Sequence, residues 1–292
     1  MLSDHIRILN FDDSVIRQSE FLEQFATATV DLTHIGPAAR LWADRAQIDS
    51  IRGSLDPARR NWPTFLGSGD YHFVSSLLLE QFEEPLALIV FDHHPDWDRL
   101  PPRYGCGAWI NRVLEQRAVH QIVLVGNGSK DLTFPSIVTG NWRSVRAKRV
   151  VMLPFEAPVR QIWPFGGIPW HELRADPHAV FSAMVDRLPS RRVYVSIDKD
   201  CLNGSYALTN WEEGRLTLDL LVSLLRTLKQ KCEIVGLDIT GEYSPVTMPS
   251  RWKSWCSALD HPKAFSARGR PMGEITKING DTNRRIIELF KS

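Results

Sequence analysis

The strongest constraint on the fold is the alternation of short apolar runs with helix-like segments along nearly the whole chain. Ile6–Phe11 (IRILNF), Pro63–Ser68 (PTFLGS), Leu86–Phe91 (LALIVF) and Gln121–Gly126 (QIVLVG) read as strands. Arg149–Leu153, Arg192–Ile197 and Glu233–Ile239 follow in the same style. These runs are rich in Val, Ile and Leu without clean apolar–polar alternation, as expected of parallel strands covered on both faces. Helical segments lie between them. Asp176-Pro177 places a capping residue before a proline at the first helical position, opening HAVFSAMVDRL. Thr217 caps LDLLVSLLRTLKQ, with Asp219 in the positive first turn. FVSSLLLEQF and AWINRVLEQR add two amphipathic helices. Such a pattern predicts an α/β chain, either a doubly wound, mainly parallel sheet or a barrel. With 292 residues, no internal repeat and no linker-like stretch, it reads as a single domain over 1–292. Pro245 to Asp281 shows only short periodic stretches, and a closing helix is expected from about Thr282 to Lys291, capped by Asp281.

Composition narrows the function classes. An apolar fraction of 43% and a charged fraction of 24% favour a packed core over disorder. A formal net charge of +1 gives no electrostatic case for nucleic acid or an anionic membrane. No run approaches the length of a spanning helix, and MLSDHIRIL lacks the pattern of a secretory leader, so a cytoplasmic protein is expected. Cys106, Cys201, Cys232 and Cys256 are scattered without a CxxC pair and read as reduced thiols.

Chemistry collects at the strand ends, where open α/β sheets bind their ligands. PTFLGS runs into Gly69-Asp70-Tyr71-His72, and LALIVF into DHHPDWD. RVYVSI runs into Asp198-Lys199-Asp200, and EIVGLDI into TGEYSP with Glu242. Residues two apart in a strand share a face, so Asp92, His94 and Asp96 would point the same way, as would Asp198 and Asp200, with His93 on the opposite face. Two imidazoles with four carboxylates form an oxygen-rich ligand set that suits manganese better than zinc. Four carboxylates in a pocket also leave too much charge for one divalent ion, whereas two ions neutralise it. Trp97 and Trp211 flank the motifs as candidate pocket walls. His120, His171 and His178 read as surface or capping residues, Asp238 as a supporting acid, and Gly126-Asn127-Gly128-Ser129 as a plain turn.

GSGDYH, DHHPD, SIDKD and GLDITGEYSP, in that order, resemble the motif set of the arginase/agmatinase/formiminoglutamase (ureohydrolase) family. The resemblance spans about Gly67 to Pro245 and implies an arginase-like, three-layer α-β-α fold. It implies two Mn2+ ions per chain, one held by His72, Asp92, Asp96 and Asp198. The other would be held by His94, Asp92, Asp198 and Asp200, with Asp92 and Asp198 bridging. Asp96 would orient a metal-bridging hydroxide, and Glu242 would pair with a cationic head group; Trp211 is the further substrate-binding candidate. The implied activity is hydrolysis of a C–N bond, other than a peptide bond, in a guanidino- or amide-type small molecule. The resemblance also suggests a homo-oligomer. Tyr71 is extra in the first motif, and Gly241 is extra before Glu242. The loop RLPPRYGCGAW lacks the histidine that serves arginases as proton shuttle, with Cys106 or Tyr104 near its place. The chain therefore reads as a divergent branch with rewritten substrate loops. Two further readings stand beside it: an inactive binding or regulatory protein, and a metal-dependent amine deacetylase, against which the six ligands argue.

Overall fold

Leu86–Phe91 shows why the strand runs are unbroken. Leu86, Leu88 and Val90 enter one apolar core, and Ala87, Ile89 and Phe91 enter another on the opposite face of the sheet. A strand buried on both sides has no polar face to show. The computed structural model describes residues 2–100, 102–133, 136–156, 173–246, 248–260, 267 and 269–291.

Eight strands form one sheet: β1 (Ile6–Asn10), β2 (Thr27–Asp31), β3 (Thr64–Gly67), β4 (Leu86–Phe91), β5 (Val119–Val125), β6 (Val150–Leu153), β7 (Arg192–Asp198) and β8 (Glu233–Thr240). Their order is β2-β1-β3-β8-β7-β4-β5-β6, and every neighbouring pair is parallel. The seven expected runs all form. β2 is the addition: an edge strand whose residues are alternately exposed and half-buried, too polar to stand out as an apolar run.

Helices cover both faces, which selects the doubly wound sheet over the barrel. Pro177–Asp186, Leu218–Lys231 and Met272–Phe290 pack on one side through Phe181, Val185, Leu221, Leu225, Ile286 and Ile287. Arg45–Gly53, Ser75–Leu79 and Trp109–Val113 pack on the other. Two caps expected from sequence are present: Asp176 accepts from the Ala179 amide and Thr217 from the Leu220 amide. The closing helix differs from expectation. It starts at Met272, ten residues earlier than the sequence suggests, so Asp281 lies within it instead of capping it. Its Gly280 lies against Phe21 and Gln18, where a Cβ would make ordinary van der Waals contact at 3.5 Å. Among the described residues no helix is long and apolar enough to cross a membrane.

Candidate metal centre

The four central strands, β3, β8, β7 and β4, present their carboxyl ends side by side. The motif residues follow directly from those ends. Past β3, residues Gly69–Val74 form a tight 3-10 turn that absorbs the extra Tyr71. Tyr71 turns into the core, stacked on Phe11 at 4.6 Å, and its hydroxyl donates to the Gly36 carbonyl. His72 is thereby left facing the site. Asp70 is spent elsewhere, in a buried ion pair with Arg40.

Past β4 the chain leaves strand geometry at Asp92, so strict alternation does not continue through the motif. The loop is shaped instead by Asn127, whose buried amide donates to the Asp92 and His94 carbonyls at 3.0 and 2.9 Å. Asp96 has a left-handed backbone, φ 47°. His93 does not line the cleft and packs beside Gly128. The Asn-Gly-Ser turn thus serves the loop, and the plain-turn reading of it gains a positioning role.

Two ligand groups result. His72 Nδ1 lies 3.2 Å from Asp92 Oδ2, 3.2 Å from Asp96 Oδ2 and 3.7 Å from Asp198 Oδ2. His94 Nδ1 lies 2.8 Å from Asp200 Oδ2 and 3.8 Å from Asp92 Oδ1. Within His72/Asp92/Asp96, and within Asp92/His94/Asp200, the donor atoms all fall inside 4.8 Å of one another. Asp92 belongs to both. All six residues are brought together, and Asp92, His94, Asp96, Asp198 and Asp200 line one small cleft of about 50 Å³ with Gly69, Cys106, Gly107, Asp131 and Trp211. Trp211 stands edge-on to His94, 5.7 Å between rings. Trp97 does not wall the cleft; it is buried in the core against Trp142.

The electrostatics are those of a crowded, buried acidic cluster. Burial, then the charges of Asp96 and Asp200, hold the Asp92 carboxyl well above the usual range. Burial and Asp200 push Asp198 up to about 8. Burial acts to lower the two imidazoles, yet Asp92 and Asp96 raise His72, and Asp200 raises His94, well above the ordinary value. Burial and His94 bring His93 down to about 4. A second layer sets the His72 ring. The Ser196 hydroxyl donates to Asp238 at 2.7 Å and lies 2.9 Å from His72 Nε2, so its oxygen accepts from that nitrogen and Nδ1 is aimed at the carboxylates. His72 Nδ1 and Asp92 Oδ2 are buried and complete no hydrogen bond among the described residues. Unsatisfied donor atoms of this type, facing one another, fit divalent ions.

Glu242 is placed differently from expectation. One of its oxygens accepts from Lys199 and Asn283, the other from Gln18 and Asn279. All its acceptor positions are taken, it is 1% exposed, and it does not line the cleft. The extra Gly241 is the reason. At φ 85° it passes so close to Asp198 that a side-chain carbon would sit 2.3 Å from Oδ1, and the chain then delivers Glu242 to the far side, against the C-terminal helix.

No family model matches this sequence. A Thermotoga maritima protein described as uncharacterized is 28% identical over 253 residues, which cover 87% of this chain and 85% of that protein. Among solved structures, the proclavaminate amidinohydrolase of Streptomyces clavuligerus superposes with a TM-score of 0.60 at 13% identity, covering 99% of this chain and 92% of that one. The agmatine ureohydrolase of Thermoplasma volcanium gives 0.58 at 15% identity, with 98% and 89% covered. The Helicobacter pylori arginase gives 0.58 at 13%, with both chains covered in full. The fold is arginase-like. At these identities the likeness carries the architecture, and the site must be argued from its own residues.

Several contributors escape a reading of the sequence. Asp131 and Gly107 line the cleft, Asn127 holds its main loop, and Trp109 donates to Asp96. No local pattern marks them, because each acts through a contact made only in the folded chain. Ser196 lies inside the SIDKD motif and Asp238 reads as a supporting acid; the structure links both to His72. His120 and His178 are exposed, as expected. His171 lies outside the described residues.

Proposed function

We propose that this chain is a binuclear manganese-dependent hydrolase that cleaves a C–N bond at a planar carbon of a small molecule. The observation that carries this reading is the buried cluster in which two imidazoles and four carboxylates turn their donor atoms on one another. So many acids at close range repel unless cations lie among them. His72, Asp96, Asp92 and Asp198 would hold one ion, and His94, Asp200, Asp92 and Asp198 the other. The ions would supply Lewis-acid activation of water and of the substrate. Asp96 lines the cleft as well as facing His72, which supports a role for it in orienting an attacking water and holding its proton. Trp211 offers a flat wall to a planar group. The arginase-like fold supports the reading, since its neighbours carry the names amidinohydrolase, ureohydrolase and arginase.

Between guanidino and amide substrates, the occupied Glu242 favours the amide type. Its carboxylate is already neutralised by Lys199 and cannot also serve a guanidinium. The test is turnover by the manganese-loaded protein of a panel holding guanidino compounds and N-acyl or N-formyl amines. Urea, ammonia and carboxylate release are measured. Manganese-dependent hydrolysis that a chelator abolishes is the expected result. Two bound ions with no turnover anywhere in the panel would refute the enzyme assignment.

A further inference from the structure

Asp96 is held from an unexpected direction. Its left-handed backbone is a strained position for a residue with a side chain. Two neighbours in sequence, at the start of the helix Trp109–Val113, fix it there. The Ile110 amide donates to the Asp96 carbonyl at 3.1 Å, and the Trp109 indole Nε1 donates to Asp96 Oδ2 at 2.7 Å. That oxygen is the one that faces His72 Nδ1. The Trp109 ring also packs on the His72 imidazole, 4.6 Å between centroids and tilted by 47°. Trp109 is fully buried, so the indole N–H is a donor that water does not compete for.

These contacts fall on one side of the site. Trp109 touches His72 and Asp96, the two ligands that belong to the first ion position alone. None of its hydrogen bonds or ring contacts among the described residues reaches His94 or Asp200. We propose that Trp109 is a positioning residue that aims Asp96 and seats His72, and so makes the two ion positions unequal. The inference rests on the two-ion reading above. The indole occupies one lone pair of Oδ2 and leaves the other directed toward His72 Nδ1, where an ion would sit. Without that donor Asp96 keeps its charge but loses its aim, and the first position weakens while the second, built on His94 and Asp200, is left intact. Partners that orient a metal ligand in this way are worth about tenfold to a hundredfold in affinity.

The experiment counts ions. Metal-free protein is titrated with Mn2+, bound metal is measured by equilibrium dialysis, and spin coupling between ions is read by electron paramagnetic resonance. Wild type should take two coupled ions. Trp109→Phe keeps an aromatic ring but removes the donor; it should retain one ion at wild-type affinity and bind the second at least about tenfold more weakly. Its one-ion spectrum should match that of His72→Ala and differ from that of His94→Ala. Replacing Trp109 by benzothienylalanine, which has sulfur in place of the N–H and nearly the same shape, should give the same result without a cavity. Two ions at wild-type affinity in both variants would overturn the proposal. So would equal weakening of both positions. A wild type that binds fewer than two ions would instead remove the two-ion reading, and this inference with it.

Discussion

At the scale of single residues, Gly241 shows how tightly the site is fixed to its sequence. Its positive φ and its approach to Asp198 Oδ1 and the Lys199 amide leave no room for a methyl group. Gly241→Ala must displace Asp198 or the strand end, at a cost of about 2 kcal/mol or more, combining the left-handed backbone and the steric overlap. Denaturant unfolding of the metal-free protein should register that loss, and Mn2+ titration should show weakened binding of both ions, because in the proposed site Asp198 would serve both positions. Unchanged binding would mean that Asp198 is free to move. The six candidate ligands are legible in the sequence because they sit in short clusters just past apolar runs, where backbone direction is set locally. Glu242 departs from expectation because one extra glycine rotates the chain. Trp109 is not legible at all: indole and carboxylate are thirteen residues apart and meet only through the fold.

At the scale of elements, the ends of β7 and β8 are tied to the C-terminal helix through charge. Lys199, between Asp198 at the end of β7 and Asp200 just past it, pairs with Glu242 after β8, and Asn279 and Asn283 of the helix Met272–Phe290 complete the carboxylate's hydrogen bonds. Both members of the pair are buried. Removing one partner leaves the other charged and uncompensated, so Glu242→Ala should cost about 3–5 kcal/mol. Asn279→Ala, which removes neutral hydrogen bonds, should cost about 1–3 kcal/mol. Urea unfolding of the two variants, compared with wild type, checks the order. A Glu242→Ala loss no larger than that of Asn279→Ala would show that the pair is weakly held. The interior strands are legible because burial on both faces leaves an unbroken apolar run. β2 is hidden by its exposed edge, and the first half of the C-terminal helix by Pro271, Gly273 and Gly280, which read as breakers. There, tertiary packing against Phe21 and Gln18 overrides local propensity.

At the scale of the whole molecule, sheet order gathers residues from separate strand ends into one acidic cluster, and that cluster opposes folding unless it is neutralised. In the metal-free protein, protons do part of that work. His72 and His94 are raised above 6.5, and Asp92 and Asp198 above 3.8, with Asp198 near 8. In each case the folded state holds protons that the unfolded chain has released, so stability falls as pH rises toward the folded value. His93 acts oppositely: held near 4, its contribution grows between pH 4 and 6.5 and is complete above that. Lys253, brought down to about 8 by burial, stays charged through most of the interval below 8. Between pH 6.5 and 8 the stability of the chelator-treated protein should therefore decline. Ions bound at the proposed site would replace those protons, and their binding would strengthen as the ligands deprotonate. At a hundredfold excess over Kd each ion adds about 2.7 kcal/mol. Melting curves across this interval, with chelator and with Mn2+, should diverge as pH rises, the chelated protein losing stability and the loaded one keeping or gaining it. Parallel curves would mean that the cluster binds no ions.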